Sequence, residues 1–273
     1  MILSTATLIV CSSVTFAQPK ILQIDGSTTV GPIRDAFAAE FMKMHPEVAI
    51  TVKKTGSGDG AAALVDGRCD IAMMSRFMKP EEFKNAVNKT TGPPVFPVAH
   101  VIANDGVCVV VHPSNPVAKL TIAQVRDIYT GRITNWNQLG GPDRAIVVIS
   151  RDTSSGTYET FDDLVMKQEK MAAHVEYVNA NPQGQARVAS TTGAIGYVGL
   201  AFLEGVKALT IDGVAPTRQT IAKGTYPISR PLFLFTNGFP KLGSLVHEFC
   251  TFHLTERGQE IIKAKGFIPL TNY

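Results

Sequence analysis

The chain has 273 residues, 45% of them apolar, and a formal charge of +3 from 26 basic and 23 acidic residues. That apolar content excludes a disordered or fibrous chain and suffices for a sizeable core, in one large domain or in two lobes. The basic residues are scattered, with no Lys/Arg-rich run of the kind that tracks a phosphodiester backbone, which argues against a nucleic-acid partner.

The chain opens on "MILSTATLIVCSSVTFAQP", an apolar run followed by small and polar residues, with no charge before Lys20. It reads as a secretory signal cut after Ala17, so residues 1–17 are assigned to a signal peptide, truncated or wrongly started since the usual positively charged start is missing, with a membrane anchor or a buried first strand as the alternatives. The run is shorter than the ~20 residues a spanning helix needs. Cys11 invites a lipid anchor, but Val10 before it is bulkier than the small residue of a lipoprotein cleavage box. The expected location is therefore the periplasm, with anchoring through Cys11 disfavoured.

From Lys20 onward, short apolar runs alternate with amphipathic stretches, the signature of an α/β fold with a mostly parallel sheet. "KILQID" is a strand, and "IRDAFAAEFMKMHP" places Ile33, Phe37, Phe41 and Met44 on one helical face. "VAITVKKTG" is a second strand, "DGAAALVDG" a helix closed by Gly67, and "CDIAMMS" a third strand. A Pro/Gly-rich approach leads into "GVCVVVHPSNP", a candidate crossing between lobes. "LTIAQVRDIYTG" carries a capping box, Thr121 with Gln124. "RAIVVISRD" is a buried strand, and "SGTYETFDDLVMKQ" is a helix with Tyr158, Phe161 and Val165 on one side. Three more short strands and closing helices complete the pattern. Cys69, Cys108 and Cys250 lack any CxxC spacing and read as small core residues, with a Cys69–Cys108 disulfide as the alternative.

Three short hydroxyl-and-glycine words stand between a strand and a helix: "DGSTTVGP", "KTGSGDG" and "SRDTSSGTYE". A helix that starts after such a turn points free N–H groups outward, and hydroxyls add rotatable donors, so each word can hold an anion. Three of them at strand ends can converge on one crevice of an open α/β sheet. Arg151, beside the third word, adds a planar fork suited to two oxygens of a tetrahedral anion. Taken singly, each word is more simply a turn or helix cap.

Competing motifs fail on spacing. No Gly-x-Ser-x-Gly elbow surrounds any of these serines, and no Walker lysine follows "TGSGDG". The histidines of "HEFCTFH" are six apart rather than four, so they read as surface histidines around a core cysteine, and no metal or cofactor is implied. Trp136 and Tyr129 read as packed core residues rather than an aromatic cage.

"DGSTTVGPI", "TGSGDG", "CDIAMMSR", "LTIAQVRDIYTGRITNWNQLGG", "SRDTSSGT", "GAIGYVGL" and "YPISRPLFLF" occur in the order and rough spacing of the phosphate-binding proteins of bacterial ABC transporters, which the chain resembles over residues 20–273. The resemblance implies a two-lobed periplasmic binding protein of type II, each lobe a mostly parallel sheet flanked by helices, with a hinge between. Residues 18–104 plus 226–273 would form lobe 1 and residues 105–225 lobe 2. It further implies a monomer that binds inorganic phosphate and passes it to a membrane permease, with no enzymatic step. By motif position the phosphate contacts would be Thr28, Thr29, Ser57, Ser75, Arg151, Ser155, Gly156 and Thr157, with Ser27 behind them.

The chain departs from some members in having Ser75 and Thr153 where acids stand. A carboxylate there accepts the proton of hydrogen phosphate and repels sulfate. Asp59 is the candidate replacement acceptor, and Arg76 would pair with it or add positive field. Other tetrahedral oxyanions (sulfate, molybdate, tungstate), a sensor role and, more remotely, a phosphatase-like activity are the alternatives.

Overall fold

A computed structural model describes residues 20–271. The signal segment 1–17 and Cys11 lie outside the described residues. Strands β1 (Lys20–Gly26), β2 (Val48–Val52) and β3 (Ile71–Met74) are parallel and are joined through helices α1 (Gly31–Met44) and α2 (Ser57–Asp66). Helix α3 (Pro80–Val87) leads to the 15-residue strand β4 (Pro97–Val111).

Beyond the short β5 (Lys119–Leu120) and α4 (Ile122–Tyr129) come β6 (Val147–Arg151), α5 (Gly156–Phe161), β7 (Glu176–Val178), α6 (Asn181–Ala189) and β8 (Ala194–Gly199). The chain closes with β9 (Lys207–Ala208), β10 (Thr210–Ile211), α7 (Arg218–Ala222), β11 (Ser229–Asn237), α8 (Leu245–Thr251) and α9 (Glu256–Ala264). The main sheet runs β2-β1-β3-β11-β4-β8-β6-β7. Strands are parallel at both ends, where helical crossovers connect them, and antiparallel at β11 and β4 in the middle. The architecture is thus the two-lobed α/β arrangement of type II binding proteins.

Strand β4 is what joins the lobes. From Pro97 to Gly106 it pairs with β11, and from Val107 to Val111 with β8. Proline near its start and a β-branched run at its end suit an edge approach followed by full burial. The strand begins at Pro97, earlier than the apolar run alone suggests, because the less apolar residues 97–105 still find a ladder partner in β11. At the change of partner, Asp105 faces Arg230 across the ladder.

One core gathers Phe37, Phe41, Phe249 and Phe252 beneath α1; another surrounds Trp136, Tyr129, Phe161 and Tyr197. Trp136 and Tyr129 are fully buried, and each satisfies its polar tip on a carbonyl, Gly193 O and Ile149 O respectively, both at 2.9 Å. Cys69, Cys108 and Cys250 are buried free thiols, so no Cys69–Cys108 disulfide forms. Burial pushes the Cys69 and Cys250 thiols up to about 12.

Three local expectations need correction. Met44 ends α1 half-exposed, since the chain turns away after it. The helix after "SSGT" is α-helical only to Phe161 and then widens into a π-turn over Asp162–Met166, which still buries Val165. His253 is buried rather than on the surface, its Nδ1 2.7 Å from the Cys250 carbonyl. Among the described residues, no group of three or more His, Cys, Asp or Glu is placed to hold a metal.

The Thr121 capping box is present, its hydroxyl accepting from the Gln124 N–H at 3.1 Å. Replacing it by alanine leaves that N–H unpaired, so T121A should lower unfolding stability by about 1 kcal/mol, read from the urea midpoint at unchanged slope.

Candidate functional site

The three words lie at the carboxyl ends of β1, β2 and β6 and meet where the lobes face each other. In the first, Ser27 is buried and its hydroxyl accepts from the Thr29 and Val30 N–H groups, at 3.1 and 3.4 Å. Its role is thus to shape the turn that presents Thr28 and Thr29. Gly26 is held at φ 126°, with its α-carbon against Gly60, so that the first two loops pack backbone to backbone.

In the second word Ser57 opens α2 and is fully buried. Its hydroxyl accepts from the Ser75 N–H at 3.0 Å and lies 3.3 Å from the Ser75 hydroxyl. In the third, Ser155 caps α5, accepting from the Thr157 and Tyr158 N–H groups.

Arg151 ends β6 and is 2% exposed. Its backbone N–H donates to the Tyr197 hydroxyl, and Tyr197 is stacked on Phe161, so the strand end is rigidly held. Nε donates to the Val178 carbonyl at 3.1 Å and Nη2 to the Asn179 carbonyl at 2.7 Å. Nη2 also reaches Thr28 Oγ1 of the first word at 3.4 Å, while Nη1 is buried with no hydrogen-bond partner. Burial, with the neighbouring Arg230 acting in the same direction, pulls the guanidinium down to about 10; Asp152 partly opposes this.

The lobes touch across the cleft. The Gly58 N–H donates to the Ser154 carbonyl at 3.0 Å, and Thr29 Oγ1 lies 3.0 Å from Thr157 Oγ1. Gly156 rests on Ser57 and Ser75, where an added Cβ would fall 2.6 Å from the Ser75 hydroxyl. All eight sequence-named contact residues are therefore drawn into one place, each within a contact or two of the Arg151 guanidinium or the serine pair.

The other three candidates fall outside it. Asp59 is exposed and lines the open mouth beside Lys54, Asp152 and Ser154. Arg76 does not pair with Asp59; Glu82 grips it at 2.7 Å, and Glu159 from the opposite lobe forms a further ion pair with it. Thr153 is exposed on the turn, and the acid beside the arginine is Asp152, whose Oδ2 lies 3.8 Å from Arg151 Nη2.

Three residues absent from the sequence reading complete the floor. Arg230 of β11 is 5% exposed and bound to Asp105 through Nε and Nη2, at 3.1 and 2.8 Å. Its Nη2 also lies 3.0 Å from Thr157 Oγ1 and 3.4 Å from Thr29 Oγ1, and Nη1 is buried without a partner. Asn181, at the start of α6, donates to Thr29 Oγ1 at 2.8 Å. A signal existed for Arg230, since an arginine inside the apolar run "RPLFLF" must be buried with a counter-charge.

The hydroxyls of Thr28, Thr29, Ser57, Ser75, Ser155 and Thr157 make no hydrogen bond to a histidine or carboxylate. This cradle of guanidinium, hydroxyl and amide donors can hold an anion.

The PBP superfamily domain model matches residues 13–257. The phosphate-binding protein PstS of Bacillus subtilis is 32% identical over 254 residues, covering 92% of this chain and 81% of that protein. The PstS of Borreliella burgdorferi is 30% identical over 263 residues, at 92% and 90% coverage. This chain belongs to the PstS family of phosphate-binding proteins. A PstS-like fold is seen in the crystal structure of a Clostridium perfringens protein, described as a phosphate ABC transporter substrate-binding protein with bound phosphate. It aligns at TM-score 0.84 and 32% identity, over 92% of this chain and 100% of that one. An ABC-type phosphate transport receptor from Vibrio cholerae aligns at TM-score 0.74 and 34% identity, over 90% and 99%. The PstS relatives are described as phosphate-binding proteins.

Proposed function

We propose that this chain binds inorganic phosphate between its two lobes and delivers it to the membrane permease of an ABC transporter, performing no chemistry itself. In this reading residues 18–104 with 226–273 form one lobe and 105–225 the other, and the exported protein works as a monomer in the periplasm. Thr28, Thr29, Ser57, Ser75, Arg151, Ser155, Gly156 and Thr157 surround the anion.

The observation that carries the reading is the pair of buried arginines. Arg151 and Arg230 each keep Nη1 buried and unpartnered beside hydroxyls drawn from both lobes. Arg230 is matched by Asp105, whereas Arg151 has only Asp152 at 3.8 Å, so an anion would offset the Arg151 charge while offering oxygens to the free N–H of each guanidinium. Because its partners come from both lobes, the anion favours the closed form over the open one.

Ligand that binds only the folded protein stabilises it by mass action. Phosphate at a hundredfold excess over its dissociation constant should raise unfolding stability by about 2.7 kcal/mol. A thermal-shift series with phosphate, sulfate, tungstate and chloride at equal ionic strength measures this; a midpoint that moves no further with phosphate than with chloride overturns the reading.

A further inference from the structure

Beside the cradle, a second set of contacts crosses the cleft, and it is made of charges. Arg76 follows Ser75 just after β3, and it is 9% exposed. Within its own lobe Glu82, from the first turn of α3, holds it with both carboxylate oxygens, accepting from Nη1 and Nη2 at 2.7 Å each. Its Nε forms an ion pair with Glu159, on α5 of the opposite lobe, which is 8% exposed. Lys79, the residue before α3, reaches the other oxygen of Glu159 at 2.5 Å.

Two cations and two carboxylates balance here, but the lobes share them unequally. The lobe that carries β3 supplies Arg76, Lys79 and Glu82, and so holds one cation in excess; the other lobe supplies only Glu159. Among the described residues, both ion-pair partners of Glu159 lie across the cleft. Moving the lobes apart therefore strips Glu159 of both cations, while Arg76 keeps Glu82. Because Arg76 is already bonded, closure desolvates chiefly one new charge and gives it two counter-charges, the balance in which a shielded ion pair is favourable.

The chain couples this set to the cradle. Arg76 adjoins Ser75, and Glu159 lies three residues after Gly156, the pair that touch across the cleft. Gly58, whose N–H donates to the Ser154 carbonyl, stands beside the same guanidinium, where an added Cβ would lie 3.7 Å from Arg76 Nη2.

We propose that Glu159 is the bolt of an electrostatic latch, received by Arg76 and Lys79, that holds the closed lobes together and slows release of the anion. The inference rests on the phosphate-binding reading above and adds to it a residue that sets the lifetime of the closed complex. Glu159 is a positioning residue, acting on the lobes rather than on the ligand.

The test is the release rate of phosphate, followed by chasing radiolabelled phosphate from the protein with excess unlabelled phosphate, alongside the affinity from calorimetry. Glu159→Gln should raise the release rate about tenfold and leave the association rate within about twofold, because the latch closes after the anion has entered. The effect stays at the low end for a shielded charge pair, since Arg76 retains Glu82 and Lys79 is half-exposed. Its sign is diagnostic: removing a carboxylate near an anion would by its field alone tighten binding, whereas loss of the latch weakens it. The urea midpoint of anion-free E159Q should match wild type, which an ion pair serving only the fold would not allow.

Glu159→Asp keeps the charge but shortens its reach, and should also release phosphate faster than wild type, which gives an independent reading should E159Q misfold. Release from either folded variant no faster than from wild type, or faster release with a correspondingly lower anion-free midpoint, overturns the latch. Wild-type protein that binds no phosphate overturns the phosphate reading itself, and this inference with it.

Discussion

Gly156→Val is expected to leave the protein folded and to weaken phosphate binding by about 100-fold or more. The glycine opens α5 on one lobe and rests against Ser57 and Ser75 on the other, where a Cβ would fall 2.6 Å from the Ser75 hydroxyl and nearer still to that of Ser57. Both serines are buried and bonded to each other, with 0 and 1% exposure, so neither can step aside without losing its partner. Overpacking a site of this kind costs about 1–3 kcal/mol, and the two branched methyls of valine press towards the upper end. Because Gly156 has no left-handed φ, a side chain there strains nothing within its own lobe. The penalty therefore falls on closure rather than folding. Isothermal titration with phosphate, alongside the urea midpoint without it, separates the two; near-normal affinity in G156V would show that the lobes need not close so far.

Much of this site is legible in the sequence. The strand-loop-helix placement of "GSTT", "GSGDG" and "SSGT" follows from hydrophobic period and turn residues alone, and those local rules hold because each word sits inside one strand-to-helix connection. What could not be read depends on register between distant strands. Arg230 and Asp105 are 125 residues apart, and only the β4–β11 ladder sets them opposite each other. Asn181 sits at a helix start, where a capping role is the ordinary reading, and its contact with Thr29 crosses the cleft. Asp59 failed for a related reason: period places it on the first turn of α2, but which face meets the other lobe is decided by Gly58 and Ser154. Likewise Arg76 found its acids in Glu82 and in Glu159 across the cleft, neither of them the nearest acid in sequence.

Arg151→Gln should weaken phosphate binding by about 100-fold or more while making the anion-free protein more stable. The first effect follows from removing a buried charged donor whose ligand is an anion, a loss of about 2–5 kcal/mol in comparable sites. The second follows from burial. A guanidinium pulled down to about 10 by desolvation is held charged at neutral pH at the expense of the fold. For a base whose folded value is depressed, that cost is fully present below the folded value and fades as pH rises through it, because the unfolded chain then binds the extra proton. The stability gap between R151Q and wild type, measured without phosphate, should therefore be widest at neutral pH and narrow above about pH 10. Saturating phosphate should reverse its sign, since the anion compensates the charge in wild type and finds no fork in the variant. If anion-free R151Q instead proves less stable than wild type at neutral pH, the carbonyls of Val178 and Asn179 hold this arginine mainly as a structural strut, and its burial carries no net cost for an anion to relieve.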